Sequence, residues 1–95
     1  MRDETFEWDD RKVAENWRRH GVTFRHGAEA LGDPFAVEWI DDREDHGEER
    51  VSALAMGQGV ILHVTYTLRG DRIRIISARK ATKREQDDYY RQNAS

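Results

Sequence analysis

The feature that most constrains this chain is the spacing of its turns between residues 50 and 78. The sequence there reads RVSALAM, VILHVTYTL and RIRIISA, separated only by Gly57-Gln58-Gly59 and Arg69-Gly70-Asp71. The runs are aliphatic and β-branched, which suits strands, and the glycines suit tight reversals. A connection this short cannot hold a parallel crossover, which takes a dozen or more residues, so the three runs must be antiparallel neighbours. Upstream, FAVEWI alternates Val37 and Trp39 against Glu38 and Ile40 and reads as a further strand. DDREDHGEE then joins it to the meander as a charged loop.

The chain before residue 35 has a helical period instead. Asp9 suits the N-cap of a helix over residues 10–20, with Trp8 and Val13 at hydrophobic-staple spacing. Val13 and Trp17 lie four apart on one face, and Gly21 suits a left-handed stop after Arg18, Arg19 and His20. A shorter helix is predicted after Thr23, with Phe24, Ala28 and Leu31 buried and Gly32 ending it. Gly27 in its interior costs up to about 1 kcal/mol relative to alanine. At the other end, Thr82 to Glu85 matches the S/T-x-x-E capping box and opens a helix through Tyr89 and Tyr90. The expected fold is α+β, in the order α-α-β-β-β-β-α. It has a four-stranded, mainly antiparallel sheet with helices on one face, in a single domain over residues 1–95.

Ninety-five residues support one modest core. The absence of cysteine excludes disulfides, thiolate metal sites and a cysteine nucleophile. No apolar run approaches the roughly 20 residues of a membrane span, and MRDETFEWDD has no apolar signal region. A cytoplasmic protein with no membrane partner is the expectation. The charge is divided unevenly: residues 1–50 hold eight basic and fifteen acidic side chains, residues 51–95 eight and four. That asymmetry suits contact with a polyanion or an acidic partner, or simply a solvated surface.

The basic charge is densest in RIRIISARKATKRE, residues 72–85, with six Arg or Lys and one acid. Strict alternation puts Arg72, Arg74, Ile76 and Ala78 on one side of a strand and Ile73, Ile75, Ser77 and Arg79 on the other. By that parity the basic run divides between two surfaces. Arg79 ends a row of apolar residues, where a cation needs an internal carboxylate or an external anion. Lys80, Lys83 and Arg84 sit at a helix start, where cations oppose the macrodipole, so anion contact is a reason for them to be there.

No histidine pair has metal-ligand spacing, so neither a metal nor another cofactor is expected. His63 sits within a strand beside Thr65, on the side away from Leu62, Val64 and Tyr66. There it is either a general acid or base or an unremarkable strand histidine. DDREDHGEE lacks the ligand order of a calcium loop, and Arg69-Gly70-Asp71 reads as a hairpin turn rather than an adhesion motif.

Three segments, FEWDDRKVAENWRRHGVTF, DPFAVEWIDDREDHGEER and VTYTLRGDRIRIISARKATKRE with the following YY, resemble the BrnT family of toxins. The likeness spans residues 6–90, and YTLRGDRIRIISARKAT is its most specific part. It implies a small RelE-like fold and a ribonuclease that cleaves RNA and arrests growth. It also implies neutralisation by a BrnA-type ribbon-helix-helix antitoxin, through which operator DNA is contacted indirectly. Arg79 and Lys80 match the family's basic motif, Tyr66 and Arg69 the preceding hairpin, and Arg50 the start of a strand. His63 departs from the aliphatic residue expected before Tyr-Thr.

Metal-free RNA cleavage needs the 2′-hydroxyl deprotonated, the 5′-oxygen protonated and the phosphorane charge stabilised. On this reading Arg79, Arg69 and Arg50 clamp the scissile phosphate with help from Lys80. Glu49, His63, Tyr66 and Tyr89 are the candidates for proton transfer. Arg72, Arg74, Lys83, Arg84 and Tyr89 are candidates for binding the RNA strand, while Trp39 is expected in the core. Two alternatives stand beside it: a non-catalytic RNA- or protein-binding module, and an inactive toxin homologue acting as corepressor.

Overall fold

In the computed structural model, which describes residues 1–42 and 47–94, eight elements follow one another. They are β1 (Phe6–Glu7), α1 (Arg11–His20), α2 (Phe24–Ala30), β2 (Val37–Asp41), β3 (Arg50–Gly57), β4 (Val60–Arg69), β5 (Arg72–Lys80) and α3 (Lys83–Asn93). The middle of the acidic loop, including His46, lies outside the described residues.

The meander forms as the turn spacing requires. Gln58 and Gly59 take φ of 54° and 75°, both left-handed as in a two-residue type I′ turn, so β3 runs on through Gly57. β2 pairs antiparallel with β3 from Val37 opposite Leu54 to Asp41 opposite Arg50. The sheet nevertheless has five strands rather than four, in the order β1-β5-β4-β3-β2, and it is mixed. The added strand, β1, lies parallel to β5, with Phe6 opposite Ile73 and Glu7 opposite Arg74. Two residues are too few to show an alternation, and only the neighbouring edge of β5 makes them a strand.

Helices cover both faces of the sheet, not one. On the first face α1 and α2 close over Ala55, Leu62, Val64, Ile75 and Ala78, together with Trp8, Val22 and Phe24. On the second, α3 packs a smaller core of Leu54, Ile61, Ala81 and Tyr89. Gly27 explains itself here: a Cβ added to it would stand 3.2 Å from the Ala78 Cβ, so glycine is what lets α2 lie flat on β4 and β5. α1 begins one residue later than its sequence suggests, although Asp9 Oδ1 still accepts the Arg11 N–H at 2.9 Å.

The face of α1 that matters is not the Val13–Trp17 stripe, since Trp17 is 57% exposed. Asn16 turns inward instead. Its Nδ2 donates to the carbonyls of Val22 and Ala78, each at 2.8 Å, and its Oδ1 accepts the Ala78 N–H at 3.4 Å. β1 ends at Glu7, so β5 beyond Arg74 has no strand partner on that side, and one amide side chain supplies the missing pairing.

A β-bulge breaks the regular register of β4 and β5. Thr65 lies opposite Ser77, yet the next residue, Tyr66, lies opposite Ile75, leaving Ile76 without a partner. The bulge reverses the parity of everything before it in β5. Ile73 and Ile75 thereby join Ala78 in the helix-covered core.

Candidate active site on the second sheet face

The same bulge overturns the division of the basic run into two surfaces. Arg79 lies opposite His63, Arg74 opposite Thr67 and Arg72 opposite Arg69. His63, Thr65, Thr67 and Arg69 alternate along one side of β4, so Arg72, Arg74 and Arg79 all share the face of His63. Arg50 joins them, two residues from Ser52, which pairs with Thr65. This is the face on which α3 covers only the Leu54–Ile61 end.

His63, Arg79 and Glu85 form a close cluster there. Arg79 donates through Nη1 to Glu85 Oε1 at 2.7 Å and through Nη2 to Oε2 at 3.0 Å, a forked pair. His63 Nδ1 stands 2.7 Å from Glu85 Oε2 and 2.8 Å from Arg79 Nη2. Oε1 of Glu85 also accepts the backbone N–H of Thr82 at 2.9 Å. Burial pushes the Glu85 carboxyl up, but the Arg79 fork, the Thr82 N–H and His63 together hold it down at about 2. Of the two partners open to Arg79, an internal carboxylate or an external anion, the carboxylate is the one in place.

Trp39 completes the surroundings. It is 41% exposed rather than in the core, with its ring 5.5 Å from the His63 ring in an edge-to-face arrangement. Together with Leu54, Arg84, Glu85, Asp88 and Gln92 it lines a shallow cleft between α3 and β2.

The other expected residues are distributed as follows. Arg50 is half-buried, and its Nε has no hydrogen-bond partner among the described residues. Arg69 reaches Glu48 at 3.6 Å, Arg74 reaches Glu7 at 2.9 Å, and Arg72 donates through Nε to the Asp3 carbonyl at 2.7 Å. Glu49 is exposed, and its main-chain oxygen accepts from Thr67 Oγ1. Lys80 is exposed opposite Leu62, and Lys83 is paired with Asp87.

Two tyrosines are not brought to the cluster. Tyr66 lies on the opposite face, donating to Glu38 Oε2 at 3.1 Å. Tyr89 is 5% exposed and donates to Asp33 Oδ2 at 2.6 Å, which leaves no ring face for a base to stack on. Conversely, Glu85 stood in the sequence only as a helix cap. Its i+3 spacing from Thr82 was visible, but the neighbours of its second oxygen come from β4 and β5. Among the described residues no group of three or more His, Asp or Glu is arranged to hold a metal ion.

Fold and site together define a small α+β protein whose sheet presents arginines and a carboxylate-held histidine on one face. The family profile described as ribonuclease toxin, BrnT, of type II toxin–antitoxin system matches residues 8–85, a span that ends on Glu85 itself. The chain belongs to this family of ribonuclease toxins. No curated protein matches it.

Proposed function

We propose that the protein is the toxin of a bacterial type II module, a RelE-like endoribonuclease that cleaves RNA without a metal ion and arrests growth. It works in the cytoplasm and is held inactive by a BrnA-type ribbon-helix-helix antitoxin, whose own DNA contacts link the complex to its operator. The observation that carries the catalytic part is the placement of His63 beside Arg79 on a face that also holds Arg50, Arg72 and Arg74.

In the proposed step the 2′-oxygen loses its proton and attacks phosphorus, and the bond from phosphorus to the 5′-oxygen breaks. The products are a 2′,3′-cyclic phosphate and a 5′-hydroxyl, the 5′-oxygen having gained a proton. His63 performs one of the two proton transfers, worth about 10²–10⁴-fold in rate. Arg79, whose terminal nitrogens are held by Glu85, His63 and the Lys80 carbonyl, and Arg50 stabilise the phosphorane through their guanidinium charge.

Incubating purified protein with single-stranded RNA in EDTA tests the reading. Cyclic-phosphate fragments are expected from the native chain and none from His63→Ala or Arg79→Ala, each verified as folded by circular dichroism. Intact RNA with the native chain, or undiminished cleavage by His63→Ala, would refute it. RNA bound but never cut would instead identify a binding module.

A further inference from the structure

One carboxylate serves two structures at once. Glu85 is the third residue of α3; its N–H donates to Thr82 Oγ1 at 3.2 Å, and its Oε1 accepts the Thr82 N–H, a complete capping box. A glutamate needed only for the cap uses one oxygen and leaves the other to water. Here the side chain is 19% exposed and Oε2 is turned onto His63 and Arg79.

We propose that Glu85 is the positioning residue of the site. It holds the ring proton of His63 on Nδ1, leaving Nε2 as the nitrogen that exchanges a proton with the RNA, and it fixes the guanidinium of Arg79 alongside. The inference rests on the ribonuclease reading above.

Arg79 Nη2 is always a donor, and it stands 2.8 Å from Nδ1. Two donors so close need a common acceptor, and Oε2 lies within 3.0 Å of both. With the ring proton on Nε2 instead, the Nδ1 lone pair would accept the Arg79 Nη2 N–H at 2.8 Å but would still confront the carboxylate oxygen at 2.7 Å. A proton on Nδ1 turns that repulsion into a charge-assisted hydrogen bond. The charge of Glu85 therefore selects the tautomer, as a carboxylate does behind other working histidines. Arg84 and Asp88 of α3 line the adjoining cleft. Since Glu85 comes from α3 while His63 and Arg79 come from β4 and β5, the site is complete only when the first turn of α3 is docked.

Two substitutions separate cap from site in the full-length chain. Glutamine also suits the third position of a capping box, so Glu85→Gln keeps the cap and removes the charge. Thr82→Ala removes the cap hydroxyl and keeps the carboxylate. For Glu85→Gln we expect a near-native melting temperature, a kcat on RNA in EDTA reduced about 100-fold with KM little changed, and ¹⁵N ring shifts showing mixed tautomers in the neutral imidazole. For Thr82→Ala we expect a lower melting temperature with native kcat and an Nδ1–H ring.

Native kcat and an Nδ1–H ring in Glu85→Gln would overturn the proposal. So would losses of kcat that merely follow melting temperature in both variants. His63→Ala distinguishes this from failure of the ribonuclease reading: full cleavage by it refutes a catalytic histidine, while the ring shifts still report whether Glu85 fixes the tautomer.

Discussion

Tyr66 and Tyr89 both bury a phenol and both donate to a carboxylate, Glu38 in one case and Asp33 in the other. Burial, together with the adjacent negative charge, pushes each hydroxyl up to about 12. A phenol whose folded pKa exceeds its unfolded value of about 10 binds its proton more tightly in the folded chain. Its contribution is fully present below pH ~10 and is lost as pH rises through about 12. Urea unfolding across this range should therefore show a steep alkaline fall in stability. Replacing both residues by phenylalanine should cost about 1–3 kcal/mol at each site at neutral pH and flatten the alkaline limb. Parallel losses in native and doubly substituted protein above pH 10 would rule out this account. Tyrosine at these positions was plain in the sequence, but nothing in it announced a carboxylate from β2 or from the loop after α2, because those contacts span 28 and 56 residues.

At the scale of elements, the bulge at Ile76 decides which arginines share a surface. Deleting Ile76 would remove the extra residue and leave Ile75 to follow Ser77 opposite Tyr66, so that Ile73 and Ile75 stay in the helix-covered core and Arg72 and Arg74 stay on the second face. That variant is expected to keep cooperative thermal unfolding. Ile76→Ser, which keeps the extra residue, should cost no more than about 1–2 kcal/mol of partly buried side chain. A deletion variant that failed to fold would show that Ile76 is not merely the extra residue of a bulge. The contrast explains what could be read in advance. Turn spacing at Gly57–Gly59 and the Thr82–Glu85 cap are local, so the meander and α3 were legible. The bulge and β1 depend on what the partner strand offers, and strict parity misassigned Arg79 as a result. The exposure of Trp39 was equally illegible, since an aromatic on an alternating strand looks the same whether a core or a cleft faces it.

Over the whole molecule, the formal charge is −3, yet one sheet face collects Arg50, Arg69, Arg72, Arg74 and Arg79. How strongly that face attracts RNA depends on how much of its charge is already spent. Arg69, Arg74 and Arg79 are paired with Glu48, Glu7 and Glu85, and neutralising a phosphate with any of them means competing with that carboxylate. Arg72 donates through its Nε to the neutral Asp3 carbonyl, and the Arg50 Nε is buried with no partner among the described residues, so neither is held in a close ion pair with a described carboxylate. Single-stranded RNA binding loses affinity with a logarithmic salt slope of about −0.7 per phosphate neutralised. Five free arginines would give a slope near −3.5, whereas two give about −1.4. The shallow value is expected for a non-cleavable 2′-O-methyl RNA titrated against His63→Ala from low to physiological salt. Substituting Glu48 and Glu7 by glutamine should steepen the slope by releasing Arg69 and Arg74. A steep slope in the unsubstituted face would mean that RNA displaces the internal carboxylates on binding, and the ion pairs would then be a resting state rather than the working one.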